Sequence, residues 1–367
     1  MPGMSSRLRL GFLHIVPFDP ADPGTGLRDA LDLFRFAEEL GFDSGWVRTR
    51  HLQKAAGAPG VILGALAVAT ERLELGNAVI PLEHENPFRL AEDLATADAL
   101  SGGRLRPGLS VHPPRGDAAF NAAVFGAGWE AGDYGYGRIE ELREILRGKK
   151  LREVPPYKGL GGDLDTETVQ PLGVGLADRL NYGAGSLRSA TWAGSAGLGL
   201  LLSNISSAEE GNSTVGTAQA AQIGAYRAAY AAAHPAGLGN VAHARVVVPV
   251  EGTTPEQEAR YRAYAEARNP RTEGIVGEKT IIARDIIGSL DEIVEVYRAD
   301  PSFALADEVL FELPIELEPA DWRHLLTQLA TRVGPALGWQ PRTAPARSGA
   351  SASRGDASRF RWRRAAS

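Results

Sequence analysis

Two stretches carry residue types able to do chemistry. "GFDSGWVRTRHLQKAAG" (41–57) reads as a buried strand running into Arg48, Arg50, His51 and Lys54. A strand end crowded with cations suits an anion, an electron-rich ring or a proton transfer; the alternative is a solvated loop. "NYGAGSLRSATWAGSAG" (181–197) reads as a strand ending in Gly183-Ala184-Gly185, after which Ser186 opens a helix. Small residues let backbone approach a ligand, and free N–H groups at a helix start, helped by the dipole, hold an anion. Ser186 and Ser189 add two hydroxyls on the same turn, with Arg188 nearby. An ordinary turn capped by serine has the same sequence, so this turn by itself leaves both readings open.

Other chemistries find no support. The seven histidines are scattered without HxxxH or HExxH spacing, so no metal site is expected. The chain has no cysteine, which excludes disulfides, thiolate metal sites, Fe–S clusters and a cysteine nucleophile together. No GxSxG elbow or Walker loop occurs. A net charge of −6 argues against nucleic acid or an anionic membrane as partner. No apolar stretch reaches the length of a membrane span. The early run "LGFLHIV" carries a histidine and stops at Pro17, so it reads as a first core strand rather than a signal peptide. A cytoplasmic protein is the expectation.

The elements that must position these residues alternate. "LRLGFLHIV" (8–16) precedes a helix at 27–40 that Gly41 ends. "DSGWV" (43–47), a helix at about 60–71, "RLELGNAVI" (72–80), a helix at 87–100 and "GRLRPGLSV" (103–111) follow. Four strands at spacings near 30 residues, with a helix between each and the next, imply parallel strands with right-handed crossovers. Residues 112–170 show one helix, 137–148, and then the Gly/Pro-rich "VPPYKGLGGDLD". Strands at 178–185, 197–204, 240–250 and 307–315 complete a count of eight, with helices near 187–196, 218–233, 255–268, 289–298 and 320–333. Eight strands favour an α/β fold of the closed (β/α)₈ TIM-barrel type over an open sheet. Residues 1–342 form this barrel domain. The Ser-, Ala- and Arg-rich 343–367 reads as a disordered tail. In such a barrel the site lies at the C-terminal ends of the strands, which is where both opening stretches fall. His14 ends the first strand there too, with a core role as its equal alternative.

Several segments, in order, resemble the bacterial luciferase-like, flavin-dependent monooxygenases: "EELGFDSGWV", "TERLELGNAVIPLEHENPFRLAEDLATADALSGGRLRPGL", "YGAGSLRSATWAGSAGLGLLLS" and "IIGSLDEIVEVY". The long second match is most similar to the FMN-dependent luciferase-like monooxygenases. The resemblance covers about residues 8–335 and implies the same barrel, with an extended loop after strand 4. It implies a flavin across the strand ends, bound by Tyr182, Gly183, Ala184, Gly185, Ser186 and Ser189, its phosphate on the last three. It also implies a non-prolyl cis peptide at Ala78–Val79 against the flavin ring, and a flavin-facing Ser110.

Two positions depart from the family pattern. Where members carry two adjacent histidines after the second strand, this chain has Arg50 and His51. Arginine stays protonated and cannot serve as a base, so His51 and Arg50 are the catalytic candidates with roles altered from luciferase. Where luciferase has a phosphate-binding arginine after the fourth strand, this chain has Val111, and His112 or Arg115 would have to compensate. The resemblance further implies reduced FMN and O2 as co-substrates, a separate flavin reductase, a small organic substrate and a homodimer. The loop at 112–136 is the expected lid, with Trp129 at the mouth. The rivals are a deazaflavin-dependent oxidoreductase and a flavin-binding protein without turnover.

Overall fold

The computed structural model describes residues 7–153, 166–209, 211–272 and 274–341. The Gly/Pro-rich 154–165 and the tail at 343–367 lie outside them.

Eight parallel strands close into a barrel. They are β1 (Arg9–His14), β2 (Ser44–Val47), β3 (Glu74–Pro81), β4 (Leu105–Ser110), β5 (Asn181–Ala184) and β6 (Gly199–Leu202), followed by β8 (Val241–Pro249) and β11 (Glu308–Glu312). The ring closes because β6 pairs with β8, β8 with β11, and β11 with β1, all parallel. Between β6 and β8 lies β7 (Ile205–Ser207), which pairs antiparallel with β9 (Thr280–Ile282); β10 (Ile286–Gly288) adds to the upper end of β8. The eight strands counted in sequence are the eight barrel strands. The three short extra ones carry too few residues to show a period of two.

The crossovers are helical: α1 (Pro23–Glu39), α2 (Pro59–Ala69), α3 (Pro87–Ser101), α4 (Ala118–Phe125) and α5 (Gly137–Leu146), then α6 (Leu187–Ser195), α7 (Val215–Ala233), α8 (Pro255–Arg268), α9 (Leu290–Ala299) and α10 (Pro319–Gln328). After α10 come a π-turn, Leu329–Val333, and a final turn, α11 (Gly334–Ala336). Helix α1 shows why these segments are helical: Ala30, Leu33, Phe34 and Ala37 form one buried stripe, and Gly41 at φ 90° ends it. The sequence reading missed α4 inside the loop after β4, because "AAFNAAVF" has no polar face to set a period.

Period-two alternation along the strands divides the core into two. Outward residues such as Phe12, Val47, Leu75, Leu109, Tyr182 and Phe311 join the large layer between barrel and helices. Inward ones, Leu13, Trp46, Leu201, Ala242, Ala244 and Leu310, fill the barrel with Ala78 and Val79 packed on top. Below them, Arg106 binds Glu308 at 2.7 Å and Glu74 at 3.0 Å, and the Ser44 hydroxyl donates to Glu308. Glu308 is fully buried, and the arginines around it hold its carboxyl below the usual carboxylate range despite that burial. This ionic plug closes the lower end, leaving the C-terminal end for a site.

Candidate active site

At the upper end, alternation turns Arg48 inward from the end of β2 and Glu312 inward from the end of β11. Arg48 forks onto both carboxylate oxygens at 2.6 and 3.0 Å, and its Nε donates to the Ala78 carbonyl at 3.3 Å. The Ala78–Val79 peptide is cis, as the resemblance implied, and the β3–β4 register shifts there, between Asn77 and Ile80. Thr49 Oγ1 donates to Asn77 Oδ1 at 3.2 Å, holding the same segment from the side.

Around that peptide the wall is made of small residues. A Cβ on Gly108 would lie 2.4 Å from the Asn77 carbonyl oxygen, and one on Gly183 would lie 2.8 Å from Val79 Cγ1. Both glycines exist to let β3, β4 and β5 approach. Gly185 differs: a Cβ there would meet nothing within 4 Å, so it fronts open space. Ser110 lies two residues beyond Gly108 on the same face of β4 and is half-buried. Open space at this mouth thus lies in front of Gly185, with Ala78, Val79 and Ser110 half-buried.

The α6 turn is locally complete. Ser186 Oγ accepts the Ser189 N–H at 3.2 Å, while Ser189 Oγ accepts the N–H groups of Gly185 and Ser186 at 3.3 and 3.1 Å. That reciprocal capping box is the serine N-cap alternative realised. The Leu187 N–H points elsewhere, donating to Glu209 Oε2 at 2.7 Å. The position thus already holds a negative charge, as a helix start favours.

Tyr182 and Ala184 face outward. The Tyr182 ring sits edge-on to Tyr136 (5.8 Å) and Trp192 (5.1 Å), which stack on each other at 3.8 Å. The side chains expected to bind cofactor at these two positions are in the helix layer, so only their backbone can border the mouth. Strand alternation fixes this: inward Gly183 makes its neighbours outward. His14 is outward for the same reason, buried edge-on to Trp322 at 4.5 Å, and burial pushes it down to about 3.

The stretch after β2 folds back on the loop after β1, with Arg50 N–H on the Ala56 carbonyl and Ala56 N–H on that of Val16. This turns His51 onto His84, ring centroids 4.4 Å apart, and His84 onto Phe125 of α4 at 5.2 Å. No local sequence pattern reveals this pair, because the two imidazoles come from different crossovers. Burial lowers the affinity of both for protons, and His84 lowers that of His51 further, against a pull from Glu83. Burial raises the Glu83 carboxyl, with His112, Arg115 and His51 opposing. Arg50 is half-buried, held below its ordinary value by burial and by repulsion from Arg48. His112 and Arg115, considered as substitutes for the missing phosphate arginine, bind each other at 2.8 Å, while Val111 packs against the outer core. Trp129 begins a short turn between α4 and α5 and is partly exposed.

A cavity of about 680 Å³ lies at the opposite end of the barrel, lined by Arg9, Arg104, Arg106, Arg179 and Asn240. It belongs to the ionic plug, away from the cis peptide. Among the described residues no group of three His, Asp or Glu side chains could hold a metal ion, and no helix is long and apolar enough to cross a membrane.

The family model described as luciferase-like monooxygenase matches residues 9–299. The chain belongs to the luciferase-like monooxygenase family. Among curated members of the family, it is 34% identical over 100 residues to the luciferase-like monooxygenase of Escherichia coli (strain K12), covering 26% of this chain and 30% of that one. It is 29% identical over 187 residues to the F420-dependent glucose-6-phosphate dehydrogenase of Amycolatopsis mediterranei (strain U-32), covering 48% and 53%. The matched segments thus span between about a third and about half of those relatives. Among solved structures, the oxygenating constituent of 3,6-diketocamphane monooxygenase from Pseudomonas putida, in complex with FMN, superposes with a TM-score of 0.61. It is 16% identical and covers 90% of this chain and 98% of that one, a likeness of fold. Luciferase-like members thus include proteins that use a flavin and proteins that use F420.

Proposed function

We propose that this luciferase-like chain is an FMN-dependent monooxygenase of two-component type, taking reduced FMN from a separate reductase and inserting oxygen from O2 into a small organic substrate. One observation carries the cofactor choice: a glycine fronting open space, Gly185, leads straight into the Ser186–Ser189 turn beside the cis Ala78–Val79 peptide. A planar ring fits against that backbone, and a phosphate fits a helix start with two hydroxyls. When bound, reduced flavin supplies the electrons that activate O2.

The chain's own residues orient, exclude water and handle protons. Ala78, Val79, Ser110 and Gly183 would hold the ring, and Gly185, Ser186 and Ser189 the phosphate. Arg48, fixed by Glu312, locks the Ala78 carbonyl and so the wall of the mouth. His51 is the residue able to take up or give a proton, since it is half-buried and burial lowers its proton affinity. Arg50 stays cationic and would stabilise negative charge beside it. The segment 112–136, with α4 on His84, acts as the lid that keeps water out. A homodimer in the cytoplasm completes the proposal.

The deazaflavin reading draws on the F420-dependent relative, and Arg50 in place of the first family histidine keeps open a flavin binder without turnover. Titration with FMN and with F420, followed by fluorescence, separates the two. Micromolar binding of FMN, with oxygen uptake coupled to product when reduced FMN and a substrate panel are supplied, is the expected result. Preferential F420 binding would move the chain to hydride transfer. FMN binding without coupled product would make it a carrier.

A further inference from the structure

The β7–β9 pair carries a charged couple to the start of α6. Ser207 N–H donates to the Gly185 carbonyl at 2.8 Å, tying this flap to the turn, and Ala208 N–H donates to the Lys279 carbonyl at 2.7 Å. Glu209 follows at once and places Oε2 on the Leu187 N–H at 2.7 Å, while its Oε1 lies 3.5 Å from Lys279 Nζ. A carboxylate from a remote segment therefore sits where the helix start attracts an anion. Its partner Lys279 is a cation on the flap side of the turn. Arg115 is engaged with the His112 ring, and Arg188, like Lys279, is exposed to solvent.

Two negative groups cannot share one helix start and one lysine at such range. Like charges at hydrogen-bond range repel, so the two compete for the same amide and the same ammonium. A phosphate monoester must either drive the carboxylate off or fail to bind.

We propose that Glu209 is an internal stand-in for the phosphate, displaced when the phosphorylated ligand arrives, and that Lys279 is then the phosphate's cation, filling the role left vacant by Val111. This rests on the FMN reading of the mouth. Displacement involves only exchange of hydrogen bonds and ion pairs. The carboxylate leaves the Leu187 amide, which turns to a phosphate oxygen, and the ammonium passes from carboxylate to phosphate. The flap then becomes a selectivity element, penalising ligands too weakly charged to evict Glu209.

The test is equilibrium binding of oxidised FMN and of riboflavin, which lacks the phosphate, to the full chain and to Glu209→Gln and Lys279→Met. Circular dichroism confirms that each variant is folded. Glu209→Gln keeps the amide contact and removes the competing charge, so FMN binds about ten-fold more tightly and riboflavin binds as before. Lys279→Met weakens FMN about ten-fold with riboflavin again unaffected. Unchanged or weaker FMN binding by a folded Glu209→Gln overturns the stand-in role while leaving the cofactor reading intact. Equal shifts for FMN and riboflavin overturn it too, since the effect is then not on the phosphate. A wild-type chain that binds neither flavin, or both alike, overturns the FMN phosphate reading itself.

Discussion

Arg48 and Glu312 meet across the barrel mouth in a two-pronged ion pair, at 2.6 and 3.0 Å, although 264 positions separate them in the chain. They close the first and last thirds of the molecule over one site. The Nε–H of Arg48, left free by the fork, reaches the carbonyl of Ala78. A planar guanidinium does what a lysine could not, serving a carboxylate and a carbonyl from a single rigid group.

Removing one member leaves the other charge in a nearly dry place, since the Glu312 side chain is only 8% exposed. Arg48→Met is expected to destabilise the chain by about 3 kcal/mol in urea unfolding. The double variant Arg48→Met/Glu312→Leu should recover most of that loss. A cycle with no coupling between the two sites would show that the pair contributes nothing to the fold.

The glycines around the mouth should separate by function. Gly108→Ala drives a Cβ to 2.4 Å from the Asn77 carbonyl oxygen, so backbone must move, and a loss of about 2 kcal/mol is expected. Gly185→Ala meets nothing and should unfold within about 0.5 kcal/mol of the parent. Its FMN affinity should nevertheless fall, because the methyl enters the space the ligand needs. A Gly185→Ala variant with parental affinity would place the ligand elsewhere.

The capping box gives a combined readout. Ser186→Ala with Ser189→Ala removes both reciprocal bonds at the α6 start, and a thermal unfolding scan should register about 1 kcal/mol of lost stability. If the same hydroxyls hold phosphate, FMN affinity falls about ten-fold with it. Retained affinity in the destabilised variant would assign the two serines to capping alone.

Buried His14 makes stability depend on acid. Folding depresses its proton affinity to about 3 from the ordinary 6.5, so below about 6.5 the unfolded chain binds a proton that the folded one refuses. The contribution is fully present above pH 6.5 and is lost as pH falls toward 3, at about 1.4 kcal/mol per pH unit. His14→Phe, which keeps the edge-on packing with Trp322, should flatten this limb by one proton. Urea midpoints between pH 7 and pH 4 measure it, and parallel slopes in the two proteins would rule His14 out.

The sequence by itself determined the barrel. Hydrophobic periods of two and 3.6 residues alternate through the chain, and they report which face of each element is buried without knowledge of its neighbours. The glycine-to-serine turn at 183–189 was legible from residue type, whereas the absence of a family histidine at Arg50 was an expectation drawn through resemblance. The cis Ala78–Val79 peptide was expected only through resemblance. Tertiary structure decided what depends on distance between remote segments: the Arg48–Glu312 fork, the tilted contact of His51 with His84, the outward rotation of Tyr182, and the carboxylate of Glu209 on α6. Local pattern sets how each segment folds. Which charges then meet is set by barrel closure, which brings together side chains whose separation along the chain carries no trace of their contact.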